Sequence, residues 1–309
     1  MFSLKTESLV KGHTGAKVRP RKRRRWGDIL APYLFILPFI LAFLFFFVGP
    51  ATYALVVSFF KYKGYGSATF VGLKNYQNML SYGVFRTELR NVFFYWIAHA
   101  VPMMLIAFLL AVLVYSKVIV HKRLFKPIIY MPQIVSTVAA ALLFQNFFGT
   151  KYGILNSLLG VEIPWLTNMT LARWAVVVVL VWRGAGYWFV VFLAGLTNIS
   201  DEVMEAAIVD GANAWQRLVR ITVPLMRNSF LFAFVVDGIV TLRLFTEPNV
   251  LGGKPGTLAA VGMAPVLNLL VESIRSARFG QAAAVGWLLF IVIAIVSFVQ
   301  FRLLRGKEG

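Results

Sequence analysis

Four ionisable side chains stand in or against long apolar runs: Arg183, Asp237, Arg243 and Glu247. A charge at the centre of a membrane helix costs about 2.5–3.5 kcal/mol on insertion scales, so such groups pair, face water or line a pathway. Arg183 lies mid-run in Val-Trp-Arg-Gly-Ala-Gly-Tyr, and Asp237 lies mid-run in the next one. A guanidinium and a carboxylate both make bidentate hydrogen bonds, which suits a hydroxyl-rich ligand. A structural Asp237–Arg183 ion pair holding two helices in register is the alternative, and a proton or ion relay is a third. Trp182, Tyr187 and Trp188 offer faces for stacking on a ligand, although aromatics in such runs more often pack or sit at the membrane interface. His99 is expected to be a hydrogen-bonded interior residue, because no second metal ligand lies near it in sequence.

Other chemistry has no residues to run on. Gly-Gly-Lys-Pro-Gly-Thr at 252–257 lacks the GxxxxGK[ST] spacing that cradles phosphates. The chain has no HExxH, GxSxG or paired-cysteine pattern, no cysteine at all, and three histidines. No catalytic residue, no metal ligand and no cofactor of its own are therefore expected. A membrane-embedded enzyme would lack its catalytic constellation.

The elements that must position these charges are long and apolar. The 309 residues are 59% hydrophobic, above the ~45–50% of soluble domains, with mean hydropathy +0.76. Six runs approach the ~20 residues that cross a bilayer as helix. They cover about 34–60, 92–115, 125–148, 171–196, 225–245 and 281–304. Helix is required because an open strand leaves backbone groups unpaired in lipid. Residues 258–274 contain Pro265, Asn268 and Glu272, and read as an external or re-entrant helix rather than a seventh span. The predicted class is an all-α polytopic membrane protein with six transmembrane helices at 29–305, a basic tail at 1–28 and a short tail at 306–309.

Net charge is +19, and the run Arg19–Arg25 carries much of it. With the N-terminus inside, inner segments hold 19 Lys and Arg and outer segments 10. That bias places both termini in the cytoplasm. The tail is read as a mostly disordered topology determinant, with docking on anionic lipid as the alternative. It offers no interleaved aromatics or folded surface for nucleic acid.

Between the fourth and fifth runs lies Ser-Asp-Glu-Val-Met-Glu-Ala-Ala-Ile-Val-Asp-Gly-Ala-Asn-Ala-Trp, continuing to Pro224. Ser200 is placed to N-cap a helix with Asp201 and Glu202 in its first turn. Gly211 falls where a left-handed C-cap needs no Cβ. Asn213 with Gln216 has capping-box spacing for a second helix, and Pro224 should end it or kink it.

The spacing Glu205-Ala206-Ala207, then Asp210-Gly211, then Ile221-Thr222-Val223-Pro224 resembles the cytoplasmic EAA loop of permease subunits of binding-protein-dependent ABC importers, in the form typical of carbohydrate uptake. Val223 departs conservatively from the usual Leu. Residues 70–76 and 252–256 resemble external turns of sugar permeases. An ordinary helix–glycine–helix connector is the alternative. The resemblance implies the type I ABC importer permease fold in the bacterial cytoplasmic (inner) membrane, with loop 200–224 as a coupling helix docking on an ATPase. It also implies two ATP-binding subunits holding the ATP and Mg, a second permease subunit and an extracytoplasmic solute-binding protein.

It further implies a sugar site on the third, fourth and fifth spans, as in the larger permease subunit of maltose-type importers. Ungapped counting from the motif puts that site at Asp237 and Thr241, at Arg183 and Gly184, and, from Pro132, at Gln133 and Thr137. An ion-coupled secondary transporter, or the same machinery importing amino acids or phosphate, remains the competing reading.

Overall fold

The computed structural model describes residues 26–81, 83–116, 121–252 and 264–305. Most of the basic tail, residues 253–256 of the expected glycine–proline turn and the tail at 306–309 lie outside the described residues. The described chain divides into a leading segment ending at Thr52 and a body from Tyr53 onward.

The leading segment is one apolar helix, α1 (Trp26–Phe43), continued through a π turn at Leu44–Val48 into α2 (Gly49–Ser58). Proline cannot donate a backbone hydrogen bond, and its ring crowds the carbonyl four residues back. The chain accommodates Pro50 by widening: Gly49 N–H bonds to Leu44 O, five residues back. The helix therefore continues where a kink is the usual outcome. As far as Tyr53 its described side chains, Phe35, Phe39 and Phe45 among them, are exposed.

The body begins with a two-stranded hairpin, β1 (Phe60–Lys61) against β2 (Thr69–Phe70), antiparallel with Phe60 opposite Phe70. Helix α3 (Lys74–Ser81) follows, anchored by Asn75 Nδ2 donating to Ser58 O at 2.8 Å and Phe60 O at 3.0 Å. Helix α4 (Gly83–Tyr115) starts well before the apolar run does. Its first turns carry Glu88 and Asn91, which are buried rather than solvated. Asn91 Nδ2 donates to Ala264 O at 3.0 Å, which ties the polar start of the helix to a later segment.

The third apolar run does not form one helix. It gives α5 (Lys122–Ile134) and α6 (Thr137–Phe147), bent by 90° at Val135–Ser136. Val135 is extended, and Ser136 Oγ accepts from Ala139 N–H at 3.2 Å, capping α6. The third run is therefore a bent pair, which by length and composition can still be one span. A serine cap before a fresh helix stops the ladder, which prolines alone would only have bent.

Helix α7 (Ile154–Leu159) is short; α8 (Met169–Thr197) is the fourth run, as expected. Ala100, Ala107 and Ala111 of α4 are fully buried in the cluster that holds Phe189 and Phe192 of α8. Small residues let membrane helices approach closely. At Gly186 a Cβ would lie 2.5 Å from Ile129 O, so glycine sets the crossing of α8 with α5.

Then come α9 (Asp201–Val209), α10 (Ala214–Arg217), a π turn at Leu218–Thr222 and α11 (Val223–Leu225). The π turn repeats the earlier device: Val223 N–H bonds to Leu218 O immediately before Pro224. Helix α12 (Arg227–Thr241) leaves at a 59° bend. It is followed by α13 (Thr246–Leu251), α14 (Val266–Arg275) and α15 (Phe279–Arg305). By length and composition four helices can cross a membrane, or up to six if each bent pair is one span. The segment at 266–275 is a separate ten-residue helix and not a span.

Candidate functional site

Arg183 sits in the middle of α8, where Gly184 and Gly186 replace bulk beside it. Asp237 and Thr241 are one turn apart on α12, facing the same way. Gln133 ends α5 and Thr137 starts α6, so the 90° break turns both toward the same space. All six line one cavity of about 590 Å³. The wall also takes His99 and Met103 from α4, Tyr187 and Trp188 from α8, and Arg243 and Glu247 beyond α12.

The charges do not pair as the sequence suggested. Arg183 Nη1 donates to Glu247 Oε1 at 2.8 Å, and Asp237 Oδ1 lies 3.2 Å from His99 Nε2. The alternative of an Asp237–Arg183 ion pair is not what forms; two pairs form instead, Arg183 with Glu247 and Asp237 with His99. Glu247 is almost fully covered. Burial raises its carboxyl above the ordinary carboxylate value, and the Arg183 guanidinium opposes that shift.

His99 Nδ1 is 2.7 Å from Tyr95 O, an atom that only accepts, so Nδ1 carries hydrogen. Nε2 faces Asp237 Oδ1. His99 is thereby the hydrogen-bonded interior residue expected from its context. Thr241 Oγ1 donates to Asp237 O at 2.8 Å, within its own helix. Asp237 Oδ2 and Arg183 Nε are buried with no hydrogen-bond partner among the described residues. Arg243 is exposed and makes no ion pair among the described residues.

The three aromatics separate. Tyr187 keeps 39% of its surface exposed and lines the cavity. Trp188 also lines it but is otherwise packed against Phe192 and Phe232. Trp182 stands edge-on to Phe144 at 5.2 Å and is core, so it offers no face to the cavity. The sequence reading missed the contribution of α4. His99 was the available signal, a lone imidazole in an apolar run, but nothing in its neighbours named Asp237 as its partner.

The loop folds as its capping residues require. Ser200 Oγ accepts from Glu202 N–H at 3.2 Å. Gly211 has φ +78°, with Gly211 N–H on Ile208 O and Ala212 N–H on Ala207 O, the paired bonds of a left-handed helix end. Asn213 and Gln216 form the capping box in both directions, at 2.9 and 2.8 Å. Glu205, Ala206, Asp210 and Pro224 are exposed, and Ala207 is buried. Ile208, Val209 and Trp215 are exposed as well, at 56%, 87% and 70%. An exposed apolar cluster held on two capped helices suits a partner rather than water.

Residues 93–307 match the family described as binding-protein-dependent transport system inner membrane component. The chain belongs to that family. The match covers α4 through α15, and so contains every cavity residue named above and the whole loop. Among relatives of this family, the arabinooligosaccharides transport system permease protein AraP of Bacillus subtilis (strain 168) is 32% identical, over 93% of this chain and 94% of its own. The lactose transport system permease protein LacF of Rhizobium radiobacter is 28% identical, over 92% and 97%. A chain of a bacterial alginate ABC transporter, solved with an alginate pentasaccharide-bound periplasmic protein, superposes with TM-score 0.78 over 90% of this chain and 96% of that one, at 22% identity. The fold is that of an ABC importer permease, as expected, and the chain is a membrane permease.

Proposed function

We propose that the chain is one transmembrane subunit of an ATP-driven carbohydrate importer and that its cavity holds the sugar in transit. The observation that carries this reading is the cavity itself: two charge pairs, the Gln133 amide and two threonines brought together among apolar helices. Relatives named for arabinooligosaccharides, lactose and maltodextrin support a saccharide as the solute.

In this reading sugar hydroxyls replace water on Arg183, Asp237 and Gln133, and Tyr187 stacks on a ring face. Gly184 keeps the wall thin, since a Cβ there would meet Met103 Sδ. Thr137 and Thr241 complete the lining. A saccharide carrying a carboxylate would be read by Arg243, because the charge of Arg183 is already matched by Glu247.

A second permease subunit closes the pathway, and a solute-binding protein delivers from outside. Two ATPase chains hold ATP and Mg, and one of them docks on Glu205–Pro224, so this chain performs no covalent chemistry. Six spans in residues 29–305 of the bacterial inner membrane, with both termini cytoplasmic, satisfy the charge bias and put the loop on the ATPase side.

The buried His99–Asp237 contact at 3.2 Å is the observation that favours ion-coupled transport instead. Proteoliposomes containing the assembled transporter separate the two. Uptake should require internal ATP and survive an ionophore that collapses ion gradients. Uptake abolished by the ionophore and indifferent to ATP would overturn the proposal.

A further inference from the structure

A second groove lies far from the charge pairs, beside the β-hairpin, with a volume of about 250 Å³. Lys61, Lys63, Lys74 and Arg278 line it, and no carboxylate does. All four cations are exposed, and none makes an ion pair among the described residues. Four like charges around one small groove repel each other unless an anion neutralises them.

The groove is built rather than incidental. Its floor is Asn75, buried and fixed by two backbone carbonyls. A Cβ at Gly280 would run into Phe60 O, so the hairpin and the start of α15 are in backbone contact. Ala277 holds φ +51°, the only positive φ at a non-glycine among the described residues. A left-handed alanine is costly and persists where the surroundings impose it. Here it turns the chain between α14 and α15 and delivers Arg278 to the groove.

The position selects the anion. Lys61 follows closely on the apolar helix that ends at Ser58, and Arg278 immediately precedes the apolar helix that begins at Phe279. Lys61 and Arg278 therefore adjoin helices long and apolar enough to cross a membrane, and cations at such helix ends meet lipid phosphates. Tyr65 and Phe70 are exposed on the same hairpin, at 74% and 68%, as interfacial aromatics are. Gln281 Oε1 borders the groove, is buried and accepts no hydrogen bond among the described residues. It would take one from a headgroup hydroxyl.

We propose that this groove binds the headgroup of an anionic phospholipid, with the phosphodiester among the four cations. A glycerol headgroup fits better than an ethanolamine, whose ammonium the cations repel. The site is independent of the sugar cavity and of the transport proposal.

Native mass spectrometry of the detergent-purified transporter tests it, with dioleoyl phosphatidylglycerol titrated against dioleoyl phosphatidylethanolamine. One phosphatidylglycerol should be retained preferentially, and inorganic phosphate in millimolar excess should not displace it. Each cation removed should weaken retention about fivefold, so Lys61→Gln, Lys74→Gln and Arg278→Gln together should weaken it on the order of a hundredfold. Lys151→Gln, outside the groove, is the control for lost surface charge. Retention unchanged in the triple variant overturns the proposal. So does an unchanged lipid profile with lost capture of the solute-binding protein, which would make the groove a protein-docking site.

Discussion

Replacing Arg183 by methionine should cripple the transporter before any sugar binds. The substitution leaves Glu247 buried without its 2.8 Å partner. Removing one member of a buried pair costs about 3–5 kcal/mol, because the remaining charge stays uncompensated. Arg183→Met should therefore lower the yield of folded subunit and its melting temperature sharply. Adding Glu247→Leu should restore both, since a matched apolar pair replaces a buried ion pair at little cost. Arg183→Met with Asp237→Leu should not restore them, because Asp237 belongs to His99. Equal rescue by the two double variants, read by thermal unfolding in detergent, would show that the pairing described is wrong. Uptake should stay low in the rescued variant, because the guanidinium that would bind hydroxyls is gone.

Gly211→Val should break coupling while leaving the membrane bundle intact. A side chain at Gly211 meets nothing within 4 Å, so space is not the obstacle. The backbone is: φ is +78°, which costs an L-residue about 1–2 kcal/mol and a β-branched one more. The capped ends of α9 and α10 share this turn, so straining it displaces both from their common geometry. Gly211→Asn is the matched control, since asparagine tolerates the left-handed region. Co-purification of the ATPase and ATP turnover should fall in the valine variant and hold in the asparagine one. Equal behaviour of the two would remove the loop conformation from the coupling mechanism.

The loop was legible residue by residue because its geometry is local. Ser200, Gly211, Asn213 and Gln216 each make bonds within a few positions of themselves, so type and spacing suffice. The cavity was legible differently. Asp237 and Thr241 share a face by helical periodicity alone, but Gln133 and Thr137 reach the cavity only because Ser136 stops one helix and starts another. That stop was readable as a cap and was hidden by the apolar residues on both sides.

Pairing across helices was not legible. Arg183 and Glu247 are 64 residues apart, and His99 and Asp237 are 138 apart. Any intramembrane acid can in principle answer any base, and only the packing of α4, α8 and α12 decides between them. The two prolines preceded by π turns make the same point about the backbone. Pro50 and Pro224 signal a disrupted ladder, but whether it widens or bends depends on what packs around it.

The most direct measurement is protection of a single cysteine in the cavity. The chain has no native cysteine, and Val240 lines the cavity with 57% of its surface exposed. Val240→Cys in the assembled, reconstituted transporter is alkylated by a small maleimide with and without saccharide. Arabinooligosaccharide, lactose and maltodextrin are supplied in turn through the solute-binding protein with ATP. At least one saccharide should slow alkylation at position 240 several-fold, while a cysteine at Val209 on the loop reacts at an unchanged rate. Transport of a saccharide with no protection at position 240 would contradict the claim that this cavity carries the sugar.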